Sequence, residues 1–169
     1  ILDDFRADPN ITVVVVTGAG GKAFVSGADI SKFADERQSE EAVQRYNALV
    51  ERLYSHIYAF PKPTIAMING WCFGGGYGPL FGCDIAIAAE DAQFGLSEIN
   101  WGILPGGGAS KVAQELMPFR KAMYHAMMGE NLTGKQAEEQ GLVTEAVPAD
   151  RLKARVLEIC EALKKKDTH

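Results

Sequence analysis

The sequence predicts an α/β domain whose strands pair at least partly in parallel, and three observations predict it. Residues 11–16 (Ile-Thr-Val-Val-Val-Val), 64–68 (Thr-Ile-Ala-Met-Ile) and 85–89 (Ile-Ala-Ile-Ala-Ala) are apolar runs with the length and composition of buried strands. Val43, Tyr46, Val50, Leu53, Ile57 and Phe60 recur at spacings of three and four, which places them on one stripe of a helix over 36–60. Strands and helices then alternate along the chain, the order expected when crossover helices connect strands of one sheet.

Each element has a local cause. A short helix over 1–7 stops before Pro9, residues 17–22 form a loop, and Pro61 and Pro63 end the long helix. Residues 75–82 read as a short helix in which Pro79 is tolerated only near the start, and 93–96 as a brief fourth strand. After the loop Pro105-Gly106-Gly107-Gly108, helices over 109–116 and 119–128 are divided by Pro118. Thr133 and Gln136 have capping-box spacing and Gly141 stands where a helix ends, which defines a helix over 135–140 and leads into a strand over 142–147. Asp150 is expected to cap a last helix that carries Leu152, Val156, Ile159 and Leu163 on one face, with Lys164, Lys165 and Lys166 at its negative end. No internal repeat or linker divides the chain, so residues 1–169 are read as one domain.

With 169 residues, 47% hydrophobic and 23% charged, the chain can bury one core and is not disordered. A net charge of −5 supplies no basic face for nucleic acid. No stretch reaches the ~20 apolar residues of a membrane helix, so neither nucleic acid nor membrane is expected as a partner. Cys72, Cys83 and Cys160 are odd in number and lack CxxC spacing, which points to a reducing, cytoplasmic setting without disulfides or zinc. The chain opens at Ile1 rather than Met and reads as though entered midway through a helix, so a fragment is expected.

The chemistry concentrates in three segments. Gly74-Gly75-Gly76 follows the apolar run 64–68 and opens a helix, where backbone can approach a ligand closely and the first amides face outward with a partial positive charge. Glu98, twenty residues beyond Gly78, lies in the apolar context Leu96-Ser97-Glu98-Ile99, where a carboxylate is poorly solvated. A general acid/base and a structural salt-bridge partner are both open for it. In Phe24-Val25-Ser26-Gly27-Ala28-Asp29-Ile30, small residues sit between apolar anchors, Phe24 and Ile30, a composition that lets the Ala28 amide face a pocket.

Other features carry less. Gly18-Ala19-Gly20-Gly21-Lys22-Ala23 matches a permissive dinucleotide fingerprint, but no helix starts within its glycines, so it is read as an ordinary loop. Ser26 is no nucleophile elbow because Phe24 stands where that motif needs glycine. His56 and His125 lie inside helices and are assigned packing or surface roles. Asp84 is read as a local hydrogen-bonding residue, and Met123, Met127 and Met128 as core or subunit-interface packing.

Together the segment 23–30, the run 63–69 with Gly70-Trp71-Cys72-Phe73-Gly74-Gly75-Gly76, the segment Phe94-Gly95-Leu96-Ser97-Glu98, and Gly141-Leu142-Val143 before Val147-Pro148 resemble the enoyl-CoA hydratase/isomerase, or crotonase, superfamily. The resemblance spans nearly the whole chain. It implies a spiral of ββα turns with a helical C-terminal part, a coenzyme A thioester as substrate, no prosthetic group, and a homotrimer or dimer of trimers. It also implies an oxyanion hole built from the Ala28 and Gly75 amides, with Glu98 as the third catalytic residue. Removing one such donor costs about 2.7–4 kcal/mol of transition-state stabilisation.

By the same resemblance Ser26, Gly27, Asp29, Ile30 and Phe33 flank the substrate on one side. Gly76, Tyr77, Gly78, Pro79, Ser97 and Trp101 flank it on the other. Hydratases of this superfamily that use two glutamates carry the first at the position of Gly78. Its absence, with Gly70-Trp71-Cys72-Phe73 and Ser97-Glu98-Ile99-Asn100-Trp101-Gly102, looks like the single-glutamate hydroxycinnamoyl-CoA (feruloyl-CoA) hydratase-lyases. Phe33 stands where those lyases have a tyrosine. An enoyl-CoA hydratase or isomerase acting on another acyl chain, and a non-catalytic assembly fragment, are the alternatives. The superfamily's first strands and last helices are expected to be missing from this chain, with exposed apolar surface as the consequence.

Overall fold

A computed structural model describes residues 1–27, 29, 31, 38–102, 104–106 and 109–166. In chain order the elements are α1 (Leu2–Ala7), β1 (Val14–Thr17), β2 (Ala23–Val25), α2 (Glu40–Tyr58), β3 (Thr64–Ile68), β4 (Trp71–Phe73), a 3₁₀ turn (Gly74–Gly76), α3 (Tyr77–Gly82), β5 (Ile85–Ala89) and β6 (Gln93–Gly95). A second 3₁₀ turn (Ser97–Trp101), α4 (Ala109–Leu116), α5 (Phe119–Met128), β7 (Leu132–Thr133), α6 (Gly134–Glu139), β8 (Glu145–Val147) and α7 (Leu152–Leu163) complete it. The strands form two sheets, ordered β1-β3-β5-β8 and β2-β4-β6-β7. Every pair is parallel except β6 with β7.

This is a spiral. The chain gives one strand to each sheet per turn, and helices carry it to the next turn. One core serves both sheets: Ile65, Ile68 and Ile87 from the first are clustered with Phe24, Cys72 and Phe94 from the second. Burying an aliphatic or aromatic side chain of this size stabilises the fold by about 1.5–3 kcal/mol. Leu152 and Val156 bring α7 onto β3 and β5, and the Arg155 guanidinium Nε donates to both carboxylate oxygens of Glu145 on β8 at 3.0 and 2.9 Å.

Most expected elements are present, and the differences have physical reasons. The run 11–16, expected as a buried strand, is instead the edge strand β1, where Val14 is buried and Val15 is exposed. The segments 23–25 and 71–73 are strands that the pattern did not reveal, because three residues are too few to show alternation. The stripe expected on α2 is rotated: Leu53 and Val43 are exposed, while Tyr46, Val50, Tyr54 and Ile57 are at least half-buried where the helix meets α3.

Of the expected strand 142–147, only Glu145–Val147 is extended. Leu142 and Val143 are buried but irregular, their amides reaching back to the Ala137 carbonyl at the end of α6. Asp150 does not cap α7. The Arg151 amide instead bonds the Pro148 carbonyl at 2.8 Å, a turn that makes Arg151 the N-cap with no side-chain cap.

The capping box of α6 is present, with Thr133 Oγ1 accepting from the Gln136 amide and Gln136 Oε1 accepting from the Thr133 amide. The loop 17–22 leads into a strand rather than a helix, and Asn69 Nδ2 pins it by donating to the Gly18 and Gly20 carbonyls at 3.1 and 2.9 Å. Among the described residues no helix is long and apolar enough to cross a membrane. Exposed apolar side chains do occur, Leu49, Trp101, Leu104, Phe119 and Met127 among them. Met127 and Met128 therefore belong to the surface of this chain rather than to its core.

Asp84 has the local role read from the sequence. Its Oδ2 accepts from the amide and the hydroxyl of Thr64, both at 2.8 Å, and its own amide donates back to Thr64 Oγ1 at 3.0 Å. This clasp aligns the starts of β3 and β5. Asp84→Ala leaves two donors of buried Thr64 unsatisfied and is expected to lower stability by about 1–3 kcal/mol, read as a fall in the urea midpoint at unchanged slope.

Candidate active site

The second sheet decides where the site forms. In β2-β4-β6 the strands run parallel, with Val25 opposite Cys72 and Phe73 opposite Gly95. Parallel pairing places the C-terminal ends of all three strands along one edge, the position where ligands bind in parallel α/β sheets. The segments leaving that edge are Ser26-Gly27, Gly74-Gly75-Gly76 and Leu96-Ser97-Glu98. Three stretches remote in sequence become neighbours for this reason alone.

Contacts between them are close. Gly27, with φ at +98°, lies where a Cβ would be 3.6 Å from the Phe73 carbonyl oxygen. A Cβ on Gly76 would meet the Val25 carbonyl. Gly74 has φ at +49°, a left-handed conformation that turns the chain sharply out of β4 and that side chains beyond glycine rarely adopt. Gly75 then sits in the first turn of the 3₁₀ segment, whose amides have no carbonyl one turn earlier to receive them.

Glu98 faces this turn. It lies in the first turn of the 3₁₀ segment Ser97–Trp101 and its Oε1 sits against Gly74, 3.0 Å from where a Cβ on that glycine would be. Its Oε2 is buried and has no hydrogen-bond partner. A polar atom left so in the interior costs free energy unless another group completes it. Among the described residues no ion pair involves Glu98, so its salt-bridge reading has no support there.

Gly78 is buried, and a Cβ there would fall inside the ring of Tyr54 from α2. The Tyr54 hydroxyl donates to the Gly75 carbonyl at 2.9 Å. Tyr54 lies beside the apolar stripe rather than on it, so periodicity alone does not single it out. Its signal is a tyrosine one helical step from Ile57 and Val50, a position where the ring is covered and the hydroxyl must find an acceptor.

The other candidates are distributed as follows. Tyr77 is fully buried, and its hydroxyl hydrogen-bonds His125 Nε2 at 2.7 Å, so its ring points into the core. Burial, with Cys72 and the Glu98 charge beside it, pushes the Tyr77 phenol well above its ordinary range. Pro79 is buried, Ser97 is half-buried, Ser26 is exposed, and Trp101 is 78% exposed at the end of its turn. Asp29 accepts from the Ser31 amide and hydroxyl at 3.0 and 2.6 Å. Ala28, Ile30 and Phe33 lie outside the described residues. Burial pushes the Cys83 thiol up to about 12 and the Cys72 thiol higher, which leaves neither as a nucleophile. Among the described residues no group of three or more His, Cys, Asp or Glu could hold a metal ion.

Comparison with known proteins identifies the fold that brings these segments together. The enoyl-CoA hydratase/isomerase family model matches residues 1–169. The chain belongs to the enoyl-CoA hydratase/isomerase family. It is 41% identical over 99% of its length to a hydroxycinnamoyl-CoA hydratase-lyase of Pseudomonas fluorescens, spanning 61% of that protein. It is 34% identical over 88% of its length to the 2,3-dehydroadipyl-CoA hydratase of Escherichia coli, spanning 56% of it. The crystal structure of an enoyl-CoA hydratase from Bacillus anthracis superposes with a TM-score of 0.92 at 34% identity, over 99% of this chain and 64% of that one. The chain thus spans about three fifths of the length of these relatives. The crotonase spiral expected from the sequence is the observed fold.

His125 is 1% exposed, and burial lowers its pKa, with the Glu130 backbone offsetting part of the shift. The folded state therefore holds a neutral imidazole, while the unfolded chain takes up a proton near the ordinary value of 6.5. Stability contributed by this group is complete above that pH and is lost as pH falls through it, because the unfolded state then binds more protons. Urea midpoints measured from pH 8 to pH 5 are expected to fall below about pH 6.5. His125→Gln is expected to flatten that part of the curve.

Proposed function

We propose that this chain carries the core of a coenzyme A thioester hydratase-lyase that acts on a 4-hydroxyaryl acryloyl thioester of the hydroxycinnamoyl type. The observation that carries the reading is Glu98: a carboxylate set against the Gly74 turn, with one buried oxygen that nothing among the described residues completes. A carboxylate held this way is suited to receive and return a proton from water or substrate.

In this reading the Gly75 amide, with the Ala28 amide beside it, holds the thioester carbonyl oxygen as negative charge develops there. Glu98 takes a proton from water as the water oxygen bonds to the β carbon, and it then returns that proton to the α carbon of the resulting enolate, which leaves it a carboxylate again. In the second stage Glu98 assists removal of the β-hydroxyl proton. The bond between the α and β carbons breaks, the aldehyde carbonyl forms, and the bonding pair passes into the acetyl-CoA enolate, which takes up a proton at carbon. A para-hydroxyl on the ring assists that cleavage by donating electron density to the benzylic carbon.

The substrate-flanking roles of Ser26, Gly27, Asp29, Ile30, Phe33, Gly76, Gly78, Pro79, Ser97 and Trp101 belong to this proposal, as does a trimeric or hexameric assembly that covers exposed apolar side chains. Tyr77 enters it as a support beneath the turn. No prosthetic group has a part in the reaction. Three free cysteines fit a reducing compartment such as the cytoplasm. Gly78, which removes the first glutamate of two-carboxylate hydratases, favours the lyase reading over hydration of a simple enoyl chain.

Feruloyl-CoA and crotonyl-CoA assayed side by side, with aldehyde release followed for the first, test the assignment. Feruloyl-CoA is expected to be cleaved and crotonyl-CoA to be a poor substrate, whereas turnover of crotonyl-CoA alone would place the protein among ordinary hydratases. Glu98→Gln is expected to reduce kcat by about 10²–10⁴-fold while thioester affinity stays within a fewfold of the parent.

A further inference from the structure

Three glycines in succession leave the turn 74–76 with more backbone freedom than any other three residues would, and something must hold it. Part of the restraint is local: the Tyr77 amide reaches the Gly74 and Gly75 carbonyls. The rest comes from α2. The Tyr54 hydroxyl donates to the same Gly75 carbonyl at 2.9 Å. Burial, with Tyr46 nearby, raises the Tyr54 pKa, which keeps the phenol neutral and a donor.

The ring of Tyr54 has a second effect. Next to Gly78 it fills the volume that any side chain at that position would enter. On its outer side it lines a cavity of about 400 Å³ together with Tyr58, Phe81 and Leu116. Position 78 and Tyr54 are therefore exclusive: a side chain at 78 requires the ring to leave, and the ring's departure frees the Gly75 carbonyl.

We propose that Tyr54 is a positioning residue of the site, one that tethers the Gly75 backbone through its hydroxyl and reserves the space beside Gly78 through its ring. The inference rests on the thioester reading for its catalytic consequence, since the Gly75 amide is the group being positioned. The tether itself is independent of any substrate.

The test uses the protein with Tyr54→Phe, Tyr54→Ala, Gly78→Ala and the double variant Tyr54→Ala/Gly78→Ala. In Tyr54→Phe the ring remains and one hydrogen bond is lost. Amide exchange over Gly75–Tyr77 is expected to quicken by about fivefold, the size of one neutral hydrogen bond, while amides of β3 and β5 keep their rates. With feruloyl-CoA, kcat is expected to fall by about as much while KM stays within about twofold. Gly78→Ala is expected to lower the urea midpoint in the parent but not in the Tyr54→Ala background, the coupling expected of two residues that compete for one space.

Unchanged exchange in Tyr54→Phe would overturn the tether. An equal midpoint shift from Gly78→Ala in both backgrounds would overturn the steric part. If exchange and midpoint respond as expected and the parent turns over no CoA thioester, the tether stands and the thioester reading falls.

Discussion

Parallel pairing of β2, β4 and β6 is the constraint on which the rest of the site depends. A parallel ladder points every strand's carboxyl end the same way, so segments that follow residues 25, 73 and 95 must emerge side by side. An antiparallel arrangement would have sent the middle segment to the opposite edge. Glu98 and the Gly74 turn meet only because the crossovers return the chain to the same end of the sheet each time. The short strands themselves contribute little hydrogen bonding, and the larger first sheet, with Ile65, Ile68 and Ile87, supplies the core that keeps them in register.

Within that frame the turn after β4 is held from three sides. Gly74 absorbs the positive φ, Gly76 lies against the Val25 carbonyl, and Tyr54 takes the Gly75 carbonyl. Beneath it, Tyr77 and His125 join α3 to α5 through a buried hydrogen bond. A backbone that is intrinsically permissive becomes fixed through its neighbours, which is how close approach to a ligand and a defined amide direction can coexist at one place.

How much of this could be read from residues alone depends on the length scale of each signal. The runs 64–68 and 85–89, the helices 109–116 and 119–128, and the Thr133–Gln136 capping box were legible because each is set by local pattern or local chemistry. Strands of three residues, 23–25 and 71–73, carry no periodicity and exist because the sheet pairs them. The stripe counted on α2 includes exposed Leu53 and leaves out Tyr54, whose covered position follows from its contacts with Gly75 and Gly78 rather than from periodicity. Gly78 was legible as an absence of glutamate, but what fills the space was not, since that side chain comes from 24 residues earlier in the chain. Glu98 stood out through its apolar context, and the partnerless oxygen that gives the context meaning is a property of three dimensions.

That oxygen bears on how the site is balanced. A buried acceptor without a donor is unfavourable by an amount comparable with a whole hydrogen bond, and folded domains have only ~5–15 kcal/mol in hand. Selection for stability alone would replace Glu98 with a residue that packs, or supply a donor to it. Neither has happened, although Tyr77, whose phenol feels the Glu98 charge, is close enough to show that polar groups are within range. The Tyr77 hydroxyl is paired with His125 Nε2 instead, and the carboxylate is left to whatever enters beside the Gly74 turn. The local rule that buried polar groups are satisfied is broken at Asn69 Oδ1 and His125 Nδ1 as well, but Glu98 is where three strand ends converge, and breaks of this kind concentrate where a protein does its chemistry.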